Sequence, residues 1–182
     1  MLYRIRHTRI RDVKIVEPHI AHDARGLSFG SFDQEWFEEN VARGYTFVQD
    51  QHMVFARNVL TGLHYQVRQP QGLLLRVVNG EIFAVALDLR RWSPTFGRWV
   101  GERISAVNNW QLWIPPGFAY GFVVRSDVAE VLLRSTSKHN ATFERTICWD
   151  DPDINIAWGM QVEPLVTMTS ANGVDFRAVE VY

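Results

Sequence analysis

The stretch NVLTGLHYQ, residues 58 to 66, holds a single imidazole, His64, in an alternating apolar run beside Gly62 and between two hydrogen-bonding side chains, Thr61 and Gln66. The two-residue period of a strand turns Leu63 and Tyr65 to one face and His64 and Gln66 to the other. Spacing alone leaves His64 open as a base or as a buried, hydrogen-bonded structural histidine. A second tract, WIPPGFAYGF (113 to 122), sets Tyr120 between Gly117 and Gly121 at the start of a strand, where glycine permits tight turns and close backbone approach. Packing is the plainer role there. Glu144, in FERTICWDDPD, precedes a strand and a turn whose carboxylates, Asp150, Asp151 and Asp153, are expected to be solvated. Asp23 and Arg25 in HDARG read as a salt bridge across a turn.

Other chemistries are missing from the pattern. No glycine loop that would cradle a phosphate, no G-x-S-x-G and no Cys/His metal spacing occurs. The lone cysteine, Cys148, excludes an intramolecular disulfide framework. The formal net charge is -1, and the basic residues are spread without a run, so no nucleic-acid footprint is visible.

The elements that must position these residues read as strands. TFVQDQHMVF (46 to 55), LLLRVVNGEIFAVALDLR (73 to 90), WQLWIPPGFAYGFVV (110 to 124) and AEVLLRSTS (129 to 137) are rich in β-branched, aliphatic and aromatic residues. Asn79-Gly80, between two apolar runs, predicts a type I′ hairpin. The helical signal is short, at FDQEWFEENVA (32 to 42). With no linker or repeat, the 182 residues are expected to form one all-β domain, 1–182, a jelly roll or sandwich with one or two short helices. The N-terminus breaks its apolar residues with charges, unlike a signal peptide, which implies a cytoplasmic protein without a membrane span.

Taken in order, DARG (23 to 26), VQD (48 to 50), GLHYQ (62 to 66), VALDLRRWSPTFGRW (85 to 99), LWIPPGFAYGF (112 to 122), AEVLL (129 to 133) and WDDPDINIAW (149 to 158) resemble the dTDP-4-dehydrorhamnose 3,5-epimerase family of cupin-fold enzymes. The resemblance covers nearly the whole chain. It implies a cupin jelly roll, a homodimer, and a pocket for a nucleoside-diphosphate 4-keto-6-deoxyhexose. The chemistry it implies is proton abstraction α to a ketone, which needs a base, a stabilised enolate and a proton returned from the opposite face. It needs no cofactor. A cupin metal would be held by an H-x-H pair with a later Glu and His, but those histidine positions read Gln66 and Tyr120, so no bound metal is expected.

Residue by residue, the resemblance makes His64 the base and places Arg25, Gln49 and Glu144 at positions that hold the nucleotide and its phosphates. The remaining positions depart from the family. GVLRGLHYQ reads NVLTGLHYQ, which puts Thr61 where an arginine contacts phosphate or sugar. The enolate-stabilising lysine is Leu73, the histidine of GFAHGF is Tyr120, and the acid tyrosine is Leu133. The aspartate that orients the histidine falls near Ser170, and F-x-E after DARG reads Ser28 and Gly30. Two readings follow. One is an epimerase of altered substrate or single-carbon scope, with Tyr120 supplying the second proton and a new carboxylate, such as Asp88, behind His64. The other is a catalytically silent relative that only binds a nucleotide sugar or a partner subunit.

Overall fold

The computed structural model describes residues 2–182. Its elements follow in chain order as β1 (Tyr3–His7), β2 (Lys14–Pro18), β3 (Ala21–Asp23), β4 (Gly26–Ser28), α1 (Gln34–Asn40), β5 (Gln49–Ala56), β6 (Val59–Gln66), β7 (Leu73–Asn79) and β8 (Glu81–Asp88). They continue as β9 (Trp99–Ser105), β10 (Gln111–Ile114), β11 (Phe118–Val124), β12 (Val128–Ser135), β13 (Glu144–Thr146), β14 (Leu165–Val166) and α2 (Met168–Ala171).

Two sheets face each other in a jelly-roll sandwich. One has the order β1-β2-β10-β7-β12-β5, the other β13-β6-β11-β8-β9, with β14 parallel against β6. The core between them takes alternate residues of both, among them Leu73, Leu75 and Val77 of β7, Val131 and Leu133 of β12, and Phe118 and Phe122 of β11. Burying each such side chain stabilises the sandwich by about 2 kcal/mol. Leu74 points the other way and packs with Trp113 under α1, whose Phe37 meets Trp113 edge-on at 5.0 Å. The expected helix is therefore present, started by Asp33, which accepts the Trp36 N–H at 2.9 Å. Residues beyond β13 cover the outer face of the second sheet, with Ile147, Ile154 and Trp158 against Leu60, Leu63 and Tyr65.

The Asn79-Gly80 hairpin is not formed. β7 pairs with β10 and β12 in one sheet, whereas β8 pairs with β9 and β11 in the other. A type I′ turn needs positive φ at both central residues, and only Gly80 has it, at +79°. Its carbonyl accepts the Ala106 N–H, and the Glu81 N–H donates to Ser126 Oγ at 2.8 Å. These partners make Asn79-Gly80 a corner that carries the chain between sheets. The acidic turn also differs from expectation. Asp150 and Asp153 are exposed, but Asp151 is buried, because its two oxygens accept the backbone N–H groups of Asp153 and Phe176.

Candidate active site

His64 occupies the middle of β6, in register with Thr146 of β13 on one side and Tyr120 of β11 on the other. Leu63 and Tyr65 pack into the outer cluster, so His64 faces the interior of the sandwich, as the strand period predicts. Thr61 does not follow that period. Between Tyr120↔His64 and Phe122↔Thr61 the register shifts, with three steps on β6 against two on β11. The extra residue is Gly62, at φ +112°, where a Cβ would stand 2.5 Å from Gly121 Cα and 2.6 Å from the Tyr120 carbonyl oxygen. This β-bulge brings Thr61 to the face of His64. Ser170 of α2 holds the bulge from outside, its hydroxyl accepting the Gly62 N–H at 2.8 Å.

The imidazole is bonded at both nitrogens. Nδ1 lies 3.1 Å from Glu144 Oε1 and 3.2 Å from Thr146 Oγ1, and Nε2 lies 3.0 Å from Thr61 Oγ1. An ionised carboxylate only accepts, so Nδ1 carries the proton and Nε2 the lone pair, to which the Thr61 hydroxyl donates. The other Glu144 oxygen lies 2.9 Å from His139 Nε2, and the His139 N–H donates to Gln49 Oε1 at 2.8 Å. The hydrogen bond from His64 holds the Glu144 carboxyl down at about 2 against the upward push of burial, and His139 adds to it. Glu144 is thus charged throughout the neutral range and fixes the tautomer of His64.

Tyr120 stands beside this base. Its ring centroid is 6.1 Å from that of His64, tilted by 56°. Burial, and then the charge of Glu144, push its phenol well above the ordinary range, so it keeps its proton. Opposite, on the inner face of the other sheet, Leu73 and Leu133 are core residues, each 3% exposed.

The expected site residues therefore divide. Gln49, Thr61, His64, Tyr120 and Glu144 are brought together. Arg25 is not: it lies on the exposed β3–β4 hairpin, its guanidinium 2.6 Å from Asp23, so the turn salt bridge is present. Asp88 is not the carboxylate behind His64. It is fully buried, and its oxygens are taken by Arg90, Ser93 and Thr95 at 2.6 to 3.0 Å. Two members of the site escaped the sequence reading. Thr146 was findable, since it follows Glu144 by two residues and must share its strand face. His139 lies in an irregular segment with no periodic signal. Among the described residues no group of His, Cys, Asp and Glu is placed to hold a metal ion, and His64 and His139 bond opposite oxygens of Glu144 instead of converging on one point.

A charged carboxylate behind a half-buried imidazole, with a protonated phenol beside it, is equipped to take and return a proton on carbon. The comparisons agree with that chemistry. Residues 7–177 match the family model for dTDP-4-dehydrorhamnose 3,5-epimerase. A Pseudomonas aeruginosa protein of that name is 49% identical over 173 residues, covering 95% of this chain and 96% of its own. The crystal structure of the Legionella pneumophila dTDP-6-deoxy-D-glucose-3,5-epimerase, in complex with dTDP-4-keto-L-rhamnose, superimposes with a TM-score of 0.95 at 38% identity, covering 98% of this chain and 95% of that one. A 3′-monoepimerase from Streptomyces bikiniensis, solved with dTDP-quinovose, superimposes with a TM-score of 0.86 at 30% identity, over 93% of this chain and 86% of that one. The chain belongs to the dTDP-4-dehydrorhamnose 3,5-epimerase family, isomerases of nucleotide-linked sugars.

Proposed function

We propose that the protein binds a dTDP-4-keto-6-deoxyhexose and that His64 Nε2 removes a proton α to its C4 ketone, inverting mainly one of the two flanking carbons. The observation that carries this reading is the hydrogen bond of His64 to the Glu144 carboxylate, which gives the imidazole a fixed tautomer and stabilises the imidazolium formed when it takes the proton. The enolate left on the sugar is met by the neutral hydroxyls of Thr61, Thr146 and Tyr120. With Leu73 at the lysine position, no cation is added, and losing one such donor typically slows a reaction by about 100- to 1,000-fold. A slow isomerase follows. Single-carbon scope rests on the proton donors: Leu133 has no proton to give, which leaves Tyr120 as the phenol beside the base.

The nucleotide end belongs to Gln49 and Arg25 in this reading, with Glu144 turned from nucleotide binding to holding His64. Arg25 is 90% exposed on a hairpin that pairs with no other strand, which supports a reading in which it reaches the diphosphate of a neighbouring subunit and the working unit is a homodimer. A cytoplasmic location fits the lone cysteine, and among the described residues no helix is long and apolar enough to cross a membrane.

The test is incubation with dTDP-4-keto-6-deoxyglucose in heavy water, following deuterium at C3 and C5 by NMR. Deuterium entry with inversion mainly at one carbon, abolished in His64→Ala, is the expected result. No exchange at either carbon, with the nucleotide sugar still bound by calorimetry, would replace the enzyme by a catalytically silent binder.

A further inference from the structure

The back of the six-stranded sheet carries a cation without an anion. Arg76 of β7 projects from the face opposite Leu73 and Leu75, with its guanidinium 4.9 Å over the Phe29 ring. Its Nε is buried and has no hydrogen-bond partner, and no described carboxylate pairs with it. Leu132 of β12 faces Arg76 in register, and Arg134, two residues on, brings a second guanidinium to the same small cavity. Arg134 is 4.3 Å over Phe32 and 3.2 Å from Asp50. Gln111, on the other flank of Arg76, already donates to the Ser31 carbonyl at 2.7 Å. Of the two guanidiniums only that of Arg134 has a carboxylate, and the donors left over are those of Arg76. Burial, and then the charge of Arg134, lower the pKa of Arg76, the direction that an unneutralised pair produces.

Burying one guanidinium beside another is unfavourable unless an anion joins them, and the planar fork of arginine fits the paired oxygens of a phosphate. We propose that Arg76 and Arg134 form a binding site for a phosphate-type oxyanion on the face of the sheet turned away from His64. The site is separate from the substrate diphosphate, because a whole sheet lies between Arg76 and the sandwich interior that His64 faces.

The experiment measures binding of inorganic phosphate by calorimetry, and the thermal midpoint in phosphate against chloride at matched ionic strength. All samples contain saturating dTDP so that the nucleotide site is filled. Phosphate is expected to bind and stabilise the unmodified protein, with affinity reduced about tenfold or more in both Arg76→Met and Arg134→Met. Arg76→Lys keeps the charge without the fork and should weaken binding as well. If Arg76→Met does not fold, Arg134→Met and Arg76→Lys carry the same comparison. Equal phosphate binding in all variants, or none in the unmodified protein, overturns the proposal. It is also overturned if phosphate has no effect while Arg76→Met lowers the oligomeric mass by light scattering, since the anion would then be a carboxylate of a second copy.

Discussion

Glu144 meets His64 from the neighbouring strand, offset by two residues from direct pairing, with Oε1 3.1 Å from Nδ1. The carboxylate behind the base thus comes from β13, while the family position near Ser170 has become a hydroxyl that holds the backbone of Gly62. Glu144→Gln keeps the shape but can present its amide to Nδ1, which frees the wrong tautomer. Solvent exchange into the substrate should fall by roughly 100-fold or more, with dTDP affinity changed far less. An exchange rate within about twofold of the unmodified protein would show that Thr146 alone orients the imidazole.

His139 stands behind Glu144 and should act through it. His139→Phe removes the bond to Oε2 and leaves the carboxylate free to rotate, so the rate should drop by about three- to tenfold with the substrate affinity retained. A change confined to affinity would place His139 on the nucleotide instead.

Acid should reveal the same pairing in stability. The folded pKa of Glu144, about 2, lies below its ordinary value of 4.5, so its contribution is complete above the ordinary value and is lost as the pH falls from there towards 2. Urea unfolding of the unmodified protein and Glu144→Gln should therefore differ at pH 7 and converge near pH 2. Curves that stay apart at low pH would assign the difference to packing.

Much of this arrangement is legible in the chain, and the parts that are not have identifiable causes. The face of His64 follows from strand alternation between Leu63 and Tyr65, and the short helical signal at residues 32 to 42 is met by α1. The failure of Asn79-Gly80 as a hairpin is different in kind. Local turn chemistry favours it, but β7 and β8 each find two partners in separate sheets, and Ser126 and Ala106 take the turn's polar groups. Thr61 reaches His64 only through the bulge at Gly62, which depends on β11 coming within contact of that glycine. Asp88, which the sequence offers as a carboxylate that could stand behind His64, is enclosed instead by Arg90, Ser93 and Thr95.

Asp88 should accordingly matter for folding and not for proton transfer. Asp88→Asn leaves the Arg90 guanidinium, also bound to Asp12, without its buried partner. A loss of about 3 to 5 kcal/mol in urea unfolding is expected, with the exchange rate of the folded fraction unchanged. Slower exchange at full folding would return Asp88 to the site.

In the proposed reaction the residue that decides the stereochemical outcome is Tyr120. Removing a proton and inverting a carbon are separable events: a base alone exchanges hydrogen for deuterium on the face it attacks, whereas inversion needs a donor on the other face. Tyr120 keeps its proton because burial and the Glu144 charge raise its pKa, and its ring lies 6.1 Å from that of His64. Tyr120→Phe preserves the packing of the ring against the core and removes only the hydroxyl. Deuterium should still enter with retained configuration, at a rate lowered by less than about tenfold, while formation of the inverted sugar falls by roughly 100-fold or more. NMR coupling constants of the ring protons separate the two products in one sample. Leu133→Tyr, which places a phenol on the opposite sheet, should then bring inversion to the second carbon, at a packing cost of about 1 to 3 kcal/mol. If Tyr120→Phe inverts the carbon as fast as the unmodified protein, water or another hydroxyl delivers the proton and the role of Tyr120 is packing alone.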